Sequence, residues 1–144
     1  MKNLFFISFI AFYSSTFAQK YPWKNKCENE TSEAEISACM DASCKEATKF
    51  FEHQYNELFK KINADYKKAE PNSMQSDILS KYITFLPLLK KSLMDCASSS
   101  SEIDAASSIG GSGYSIIKNE ILLSKIESNI ATLAKIKEEL PSFE

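Results

Sequence analysis

Arginine is absent from this chain of 144 residues, and histidine occurs once. The 17 basic and 19 acidic side chains give a net charge of −2 at pH 7. Binding to nucleic acid requires a basic face, so this balance argues against that function and is compatible with a cationic protein partner. The one histidine, His53, lies among Glu52, Gln54 and Glu57. We interpret it as an ordinary helix residue, and we expect no Ser/His/Asp arrangement.

Glycine is also scarce, because the only three glycines are Gly110, Gly111 and Gly113. This cluster is not a phosphate-binding loop, since it lacks the lysine of a P-loop and no strand precedes it. The paired carboxylates of the chain are better explained as helix surface than as an acid/base pair. The sequence therefore predicts neither an enzyme nor a bound cofactor.

A long apolar run occurs only near the start of the chain. After Met1 and Lys2, an apolar stretch is followed by small residues that end at Ala18, which is the pattern of a secretory signal peptide. We expect residues 1–18 to be removed, a single domain over residues 19–144, and a periplasmic or secreted location. No later segment is apolar enough for a membrane anchor, and no cysteine follows the leader as a lipid anchor requires.

Four cysteines lie beyond the leader, and an even number in a small exported protein indicates two disulfides. Cys27–Cys96 with Cys39–Cys44 is the least favourable pairing, because Cys39 and Cys44 are five residues apart on one helix and their side chains diverge. We expect one disulfide to tie the N-terminal arm at Cys27. The other is expected to join the first helix to the end of the second at Cys96. Zinc is the competing interpretation, but the spacings match no usual ligand pattern.

Three amphipathic helices make up the predicted fold, and no segment alternates like a strand. Apolar residues three or four positions apart predict helices over about 32–69, 73–97 and 115–140. Residues 19–30 are polar and are predicted to be an extended N-terminal arm. The predicted class is therefore an all-α domain of three antiparallel helices, with a long Ser/Gly loop and two disulfides.

Local signals mark where the predicted helices begin and end. Ser32 followed by Glu35 predicts a capping box at the start of the first helix. Pro71 disfavours helical geometry at the residue before it, so the first helix is expected to end there. Ser73 is expected to cap the second helix.

The connection between the second and third helices is the segment that we single out for function. Residues 98–113 combine a run of serines with all three glycines. A structureless loop of this length exceeds the usual helix–helix connection, and its glycines permit backbone angles closed to other residues. The alternative is that the glycines only allow the chain to reverse direction.

A pattern of cysteines, helix and glycine turn extends over most of residues 19–144. It consists of CENETSEAEISAC, ATKFFEHQYNELFKKI and GGSGYSIIKNEILLSKI. These segments resemble the LprI-like lysozyme inhibitors, a family of small exported helical proteins. Matches to the family pattern fall at Cys27, Thr31, Glu35, Cys39, Tyr55, Cys96, Gly110, Gly111 and Ser112. The family's fourth cysteine would fall near Glu120, where this chain has none, so the resemblance implies a different second disulfide that uses Cys44.

The resemblance implies inhibition of lysozyme or of a related peptidoglycan-cleaving enzyme, which works with two carboxyl groups across a cleft. Gly110, Gly111 and Ser112 would then offer hydrogen-bond donors to these carboxyl groups. Tyr114 would stack along the cleft wall, and Lys118 would add a positive charge. Many lysozymes are strongly basic, so an acidic inhibitor would be steered toward them.

Two other functions stay open at this point. The second hypothesis is an immunity or adaptor protein for another exported toxin or envelope enzyme, which would bind through an aromatic helix face. Phe50 and Phe59 stand one position off the apolar stripe of the first helix, so they either widen the buried face or anchor a partner. The third hypothesis is an enzyme with an unrecognised site that includes His53.

Overall fold

The computed structural model describes residues 21–108 and 113–140, and its regular structure within these ranges consists of three helices and no strand. Helix α1 spans Glu33–Lys68, α2 spans Met74–Ser108 and α3 spans Tyr114–Glu139. The predicted all-α class is confirmed. The predicted signal peptide lies outside the described residues.

The local signals that begin the first two helices act as predicted. The Ser32 hydroxyl accepts from the Glu35 backbone N–H at 3.3 Å, and the Glu35 carboxylate accepts from the Ser32 backbone N–H at 3.2 Å. Asn72, in the turn after α1, has a left-handed backbone with φ of 62°, which asparagine tolerates better than most residues. Ser73 then accepts from the Ser76 backbone N–H at 3.1 Å and so caps α2.

One hydrophobic core joins the apolar stripes of the three helices. It is formed by Trp23, Ala47, Phe51, Tyr55, Leu58, Ile62, Leu79, Leu86, Ile126, Ile130 and Leu133. Burial of one such large apolar side chain stabilises the fold by roughly 1.5–3 kcal/mol, so this cluster is the main source of stability. Phe50 and Phe59 pack against the cluster, and they therefore widen the buried face of α1.

The N-terminal segment forms turns, and the prediction of an extended arm over residues 19–30 is wrong for its described part. Residues 22–29 are consecutive turns, and Trp23 within them is only 2% exposed. Its indole N–H donates to Glu127 Oε1 at 2.9 Å, and its ring lies edge-on to Phe50 at 5.6 Å between centroids. A large indole ring with an acceptor for its N–H favours burial, and this draws the segment onto the helices.

The structure contains one disulfide, Cys27–Cys39, so the prediction of two disulfides is wrong. Cys44 is a buried free thiol that donates to the Asn119 carbonyl oxygen of α3 at 3.1 Å, and burial raises its pKa to about 11. Cys96 is an exposed free thiol on α2. Because the Cys44 thiol faces α3 while Cys96 faces solvent, the expected link from the first helix to Cys96 does not form.

Helix α2 continues past its predicted end near Ala97 to Ser108, so the prediction of a loop over residues 98–113 is wrong for its first part. Ala97, Ser101 and Ala105 lie one turn apart and are buried, which brings the backbone of α2 close to its neighbours. The Ser101 hydroxyl donates to a carbonyl oxygen in the preceding turn at 2.8 Å. Tertiary packing of these small side chains outweighs the weak helix propensity of serine.

Contacts between helices establish which of their ends meet. Ser37 Oγ in α1 lies 2.9 Å from Ser115 Oγ in α3, and the Tyr114 hydroxyl of α3 donates to Glu102 of α2 at 2.6 Å. The start of α1, the end of α2 and the start of α3 therefore lie together. We call this part of the domain the connection end, because the chain passes there from α2 to α3.

In residues 21–108 and 113–140, no helix combines the length and the apolar character needed to cross a bilayer.

Replacement of Cys27 and Cys39 by serine in one variant is expected to lower the free energy of unfolding by about 3 kcal/mol. The disulfide joins residues 12 apart, and a cross-link of that length removes about this much chain entropy from the unfolded state. Urea unfolding followed by the fluorescence of Trp23, the only tryptophan, measures the change. The control is Cys96→Ser, which removes an exposed thiol and is expected to change stability by less than about 0.5 kcal/mol. Equal losses in the two variants would contradict the pairing.

Candidate functional site

The connection end is acidic. Its carboxylates are Glu28, Glu30, Glu33, Glu35, Glu102, Asp104 and Glu120, and its lysines are Lys24, Lys26 and Lys118. Two of these lysines are already neutralised, since Lys26 pairs with Glu46 at 2.8 Å and Lys118 pairs with Glu102. Carboxylates outnumber lysines in these segments, and an excess of negative charge is the kind of surface that favours a cationic partner.

Two of the predicted binding residues, Tyr114 and Lys118, lie at the start of α3. The other three, Gly110, Gly111 and Ser112, lie outside the described residues. Tyr114 and Lys118 are one turn apart, and both contact Glu102 near the end of α2. We call these three side chains the Glu102 clasp.

The Glu102 clasp joins the end of α2 to the start of α3 at the surface. The Tyr114 hydroxyl donates to Glu102 Oε2 at 2.6 Å, and Lys118 Nζ pairs with the other carboxylate oxygen. The hydrogen bonds from Lys118 and Tyr114 lower the pKa of Glu102 below the ordinary glutamate value. The same hydrogen bonds raise the pKa of Tyr114 and of Lys118. All three groups are thus held in their neutral-pH protonation states.

Glu102 belongs to the candidate site, although the sequence pattern does not single it out. Tyr114 and Lys118 were expected to face a partner, whereas in the structure the hydroxyl of Tyr114 and the charge of Lys118 are engaged within the protein. Glu102 is 12 residues from Tyr114, and nothing in the local pattern relates the two. Glu102 lies opposite the start of α3 because α2 continues through the serine run to Ser108.

The backbone at the start of α3 adds hydrogen-bond donors to the connection end. Gly113 is the N-cap residue of α3 and makes no side-chain capping bond. The first backbone N–H groups of a helix have no acceptor within the helix itself. They also carry the positive end of the helix dipole, so a carboxylate oxygen is a favourable partner for them.

A second surface lies on α2, and we call it the α2 apolar face. Met74, Phe85 and Leu88 are 80%, 60% and 61% exposed, and Ile78 is on the same side of the helix. Ile78, Lys81, Tyr82 and Phe85 surround a shallow cavity of about 280 Å³. Single exposed apolar residues are normal, but a contiguous face of them is typical of a protein interaction site.

Within the described residues, no group of three or more His, Cys, Asp and Glu side chains is arranged to hold a metal ion. His53 is exposed on the middle of α1.

Comparison with known proteins adds no family to these observations. No family model matches the chain, and no curated protein and no solved structure matches it either.

The Glu102 clasp is expected to open in acid. Because the folded-state pKa of Glu102 is lowered, its contribution to stability is complete above the unfolded-state value of about 4.5 and is lost as the pH falls through the lower folded-state value. NMR spectra of the Tyr114 ring between pH 7 and pH 2 are expected to show a transition with a midpoint below 4.5. Glu102→Gln is expected to abolish this transition. A midpoint at or above the ordinary glutamate value would contradict the geometry.

Proposed function

We propose that the protein is an exported inhibitor of lysozyme or of a related peptidoglycan hydrolase. It would bind the enzyme through the connection end, with Gly110, Gly111 and Ser112 entering the cleft. The observation that carries the proposal is that negative charge and hydrogen-bond donors occur together at the end of the domain where α2 passes into α3.

Charge supports this choice of target. Lysozymes are commonly strongly basic, and a cationic protein approaching the domain is attracted to the acidic connection end. Attraction of this kind raises the association rate more than it lowers the dissociation rate. The inhibitor would therefore meet its target quickly and in the correct orientation.

Hydrogen-bond donors support the choice of cleft. A glycosidase places two carboxyl groups across its cleft, and at least one of them is ionised. The backbone N–H groups of Gly110 and Gly111, the hydroxyl of Ser112 and the N–H groups at the start of α3 are donors for such a carboxylate. Glycines carry no side chain that would prevent entry into a narrow cleft.

The Glu102 clasp supports a specific role for Tyr114 and Lys118. By joining the end of α2 to the start of α3, it holds both ends of the connecting segment at fixed positions. A segment with fixed ends loses less conformational entropy when it binds. We therefore assign Tyr114 and Lys118 a positioning role, in place of the direct contacts expected from the sequence.

The frame behind the connection end fits an exported protein. We infer that the three helices form an antiparallel bundle, since Glu102 meets the start of α3 while Asn129 Nδ2 donates to the Leu93 carbonyl oxygen at 3.1 Å farther along. The disulfide Cys27–Cys39 is favoured in an oxidising compartment such as the periplasm or the cell exterior. Together with the leader pattern, this supports a periplasmic or secreted location.

Residues 19–144 are expected to slow lysozyme clearing of a peptidoglycan suspension at near-stoichiometric concentration. Replacement of Gly110, Gly111 and Ser112 by aspartate is expected to weaken inhibition at least tenfold, because the new carboxylates repel those of the enzyme. The matched control is Ser98→Asp with Ser99→Asp, which adds negative charge at exposed positions of α2 and leaves the connection unchanged. Absence of inhibition at large excess would refute the proposal, and equal weakening in both variants would refute the role of the segment.

The α2 apolar face favours a second candidate function, an immunity or adaptor protein for another exported toxin or envelope enzyme. Phe85 and Leu88 are one turn apart and exposed, so a partner could bury both in one hydrophobic contact. This surface is formed by α2 alone and does not include the connecting segment.

Pull-down from periplasmic extract separates the second candidate from the first. If the adaptor function is correct, a partner other than a peptidoglycan hydrolase is retained by the unmodified protein and lost from a variant with Phe85→Ser and Leu88→Ser. Ile103→Ser is the control, because Ile103 is an exposed apolar residue elsewhere on α2 and its variant should retain the partner. Retention by all three proteins would exclude the α2 apolar face as the binding surface.

A further inference from the structure

A cavity of about 430 Å³ opens between the N-terminal turns, the first part of α1 and the first half of α3. Its volume lies within the usual range for binding sites of small molecules and side chains. Its lining comes from residues 23–28, from Ile36 and Met40 of α1, and from the part of α3 between Ile116 and Glu127. We call it the N-terminal cavity.

The floor of the N-terminal cavity is apolar and its wall is fixed. Ile36 and Met40 come from α1, and Ile116 and Leu123 come from α3. Cys27 also lines the cavity, and its disulfide to Cys39 fastens the N-terminal turns to α1. The cavity therefore offers an apolar surface that is already formed before a partner arrives, which lowers the cost of binding.

Carboxylates dominate the charged groups at the rim of the N-terminal cavity. Glu28, Glu120 and Glu127 all line it, and Lys24 and Lys26 are the lysines that do so. The charge of Lys26 is offset by Glu46, which lies 2.8 Å from its Nζ and does not line the cavity. The rim thus has an excess of negative charge.

Glu120 and Glu127 differ in how they are held. Glu127 Oε1 accepts the indole N–H of Trp23 at 2.9 Å, so this carboxylate is fixed in place at one side of the cavity. Glu120 is exposed and makes no ion pair with any lysine in the described part of the chain. Its carboxylate, one turn from Ile116 and Leu123 on α3, can therefore receive a cation.

We propose that the N-terminal cavity binds a basic segment of a protein partner, with a lysine or arginine side chain as its anchor. The aliphatic part of such a side chain covers apolar surface while its charged head stays near water. Here the aliphatic part would lie on Ile116 and Leu123, and the head would pair with Glu120. An apolar residue beside the basic one would fill the rest of the floor. The proposal makes no use of Gly110, Gly111 and Ser112 and does not depend on the proposed function.

Calorimetric titration of residues 19–144 with the peptide acetyl-Leu-Lys-Leu-amide tests the proposal, and the fluorescence of Trp23 reports whether the peptide enters the cavity. The same peptide with norleucine for lysine keeps the aliphatic chain and removes the charge, and n-butylammonium keeps the charge and removes the peptide. We expect the lysine peptide to bind about fivefold or more tightly than either comparison compound. The norleucine peptide lacks the ion pair, which at an exposed site contributes up to about 1 kcal/mol. The n-butylammonium ion lacks the contacts of the peptide with the apolar floor. Equal affinity of the norleucine peptide would overturn the role of charge, and equal affinity of n-butylammonium would overturn the assignment to a protein segment.

Two variants locate the binding. Glu120→Gln is expected to weaken the lysine peptide about fivefold and leave the norleucine peptide unchanged. Glu57→Gln, which removes an exposed carboxylate from the middle of α1, is its matched control and is expected to change neither. Ser124→Phe fills the cavity without altering its charge and is expected to abolish binding of both peptides. Equal effects of Glu120→Gln and Glu57→Gln, or full binding by a folded Ser124→Phe variant, would overturn the proposal.

Discussion

Burial of the Trp23 indole ring is the interaction that fixes the N-terminal turns and the cavity beside them. The ring lies in the common core of the three helices, and its N–H is satisfied by Glu127 of α3. Because the same segment is fastened to α1 through Cys27, the N-terminal turns connect α1 with α3. The N-terminal cavity lies between these turns, α1 and α3.

The sequence predicts those parts of the fold that are encoded by residues close together in the chain. The capping box of Ser32 and Glu35, the Ser73 cap and the apolar stripes of the helices are local signals, and each lies where it was expected. The burial of Trp23 was not predictable in this way, because its segment is polar and the acceptor Glu127 is 104 residues away. The sequence makes one cysteine pairing unfavourable but does not identify the disulfide that forms, because disulfide formation depends on which neighbour each thiol faces.

The candidate site illustrates the same limit. Tyr114 and Lys118 were selected through a resemblance to a family, and the structure places both at the connection end. Their roles could not be derived from the sequence, because serine-rich residues after Ala97 indicate a loop by propensity alone. Because tertiary packing extends α2 through this stretch, Glu102 reaches α3. Tyr114 then donates a hydrogen bond to Glu102, and Lys118 forms an ion pair with it. Both polar groups are therefore engaged within the protein.

The small side chains at Ala97, Ser101 and Ala105 limit the size of the residues that the serine-rich end of α2 can accept, although this stretch has the composition of a low-complexity segment. All three are buried, and added methylene groups in a packed interior force neighbouring atoms to move. A bulkier residue at any of these positions must push the last turns of α2 outward, and Glu102 moves with them. Substitutions tolerated at the exposed Ser98 and Ser99 would therefore be rejected at the three buried positions, even though one of these, Ser101, is also a serine.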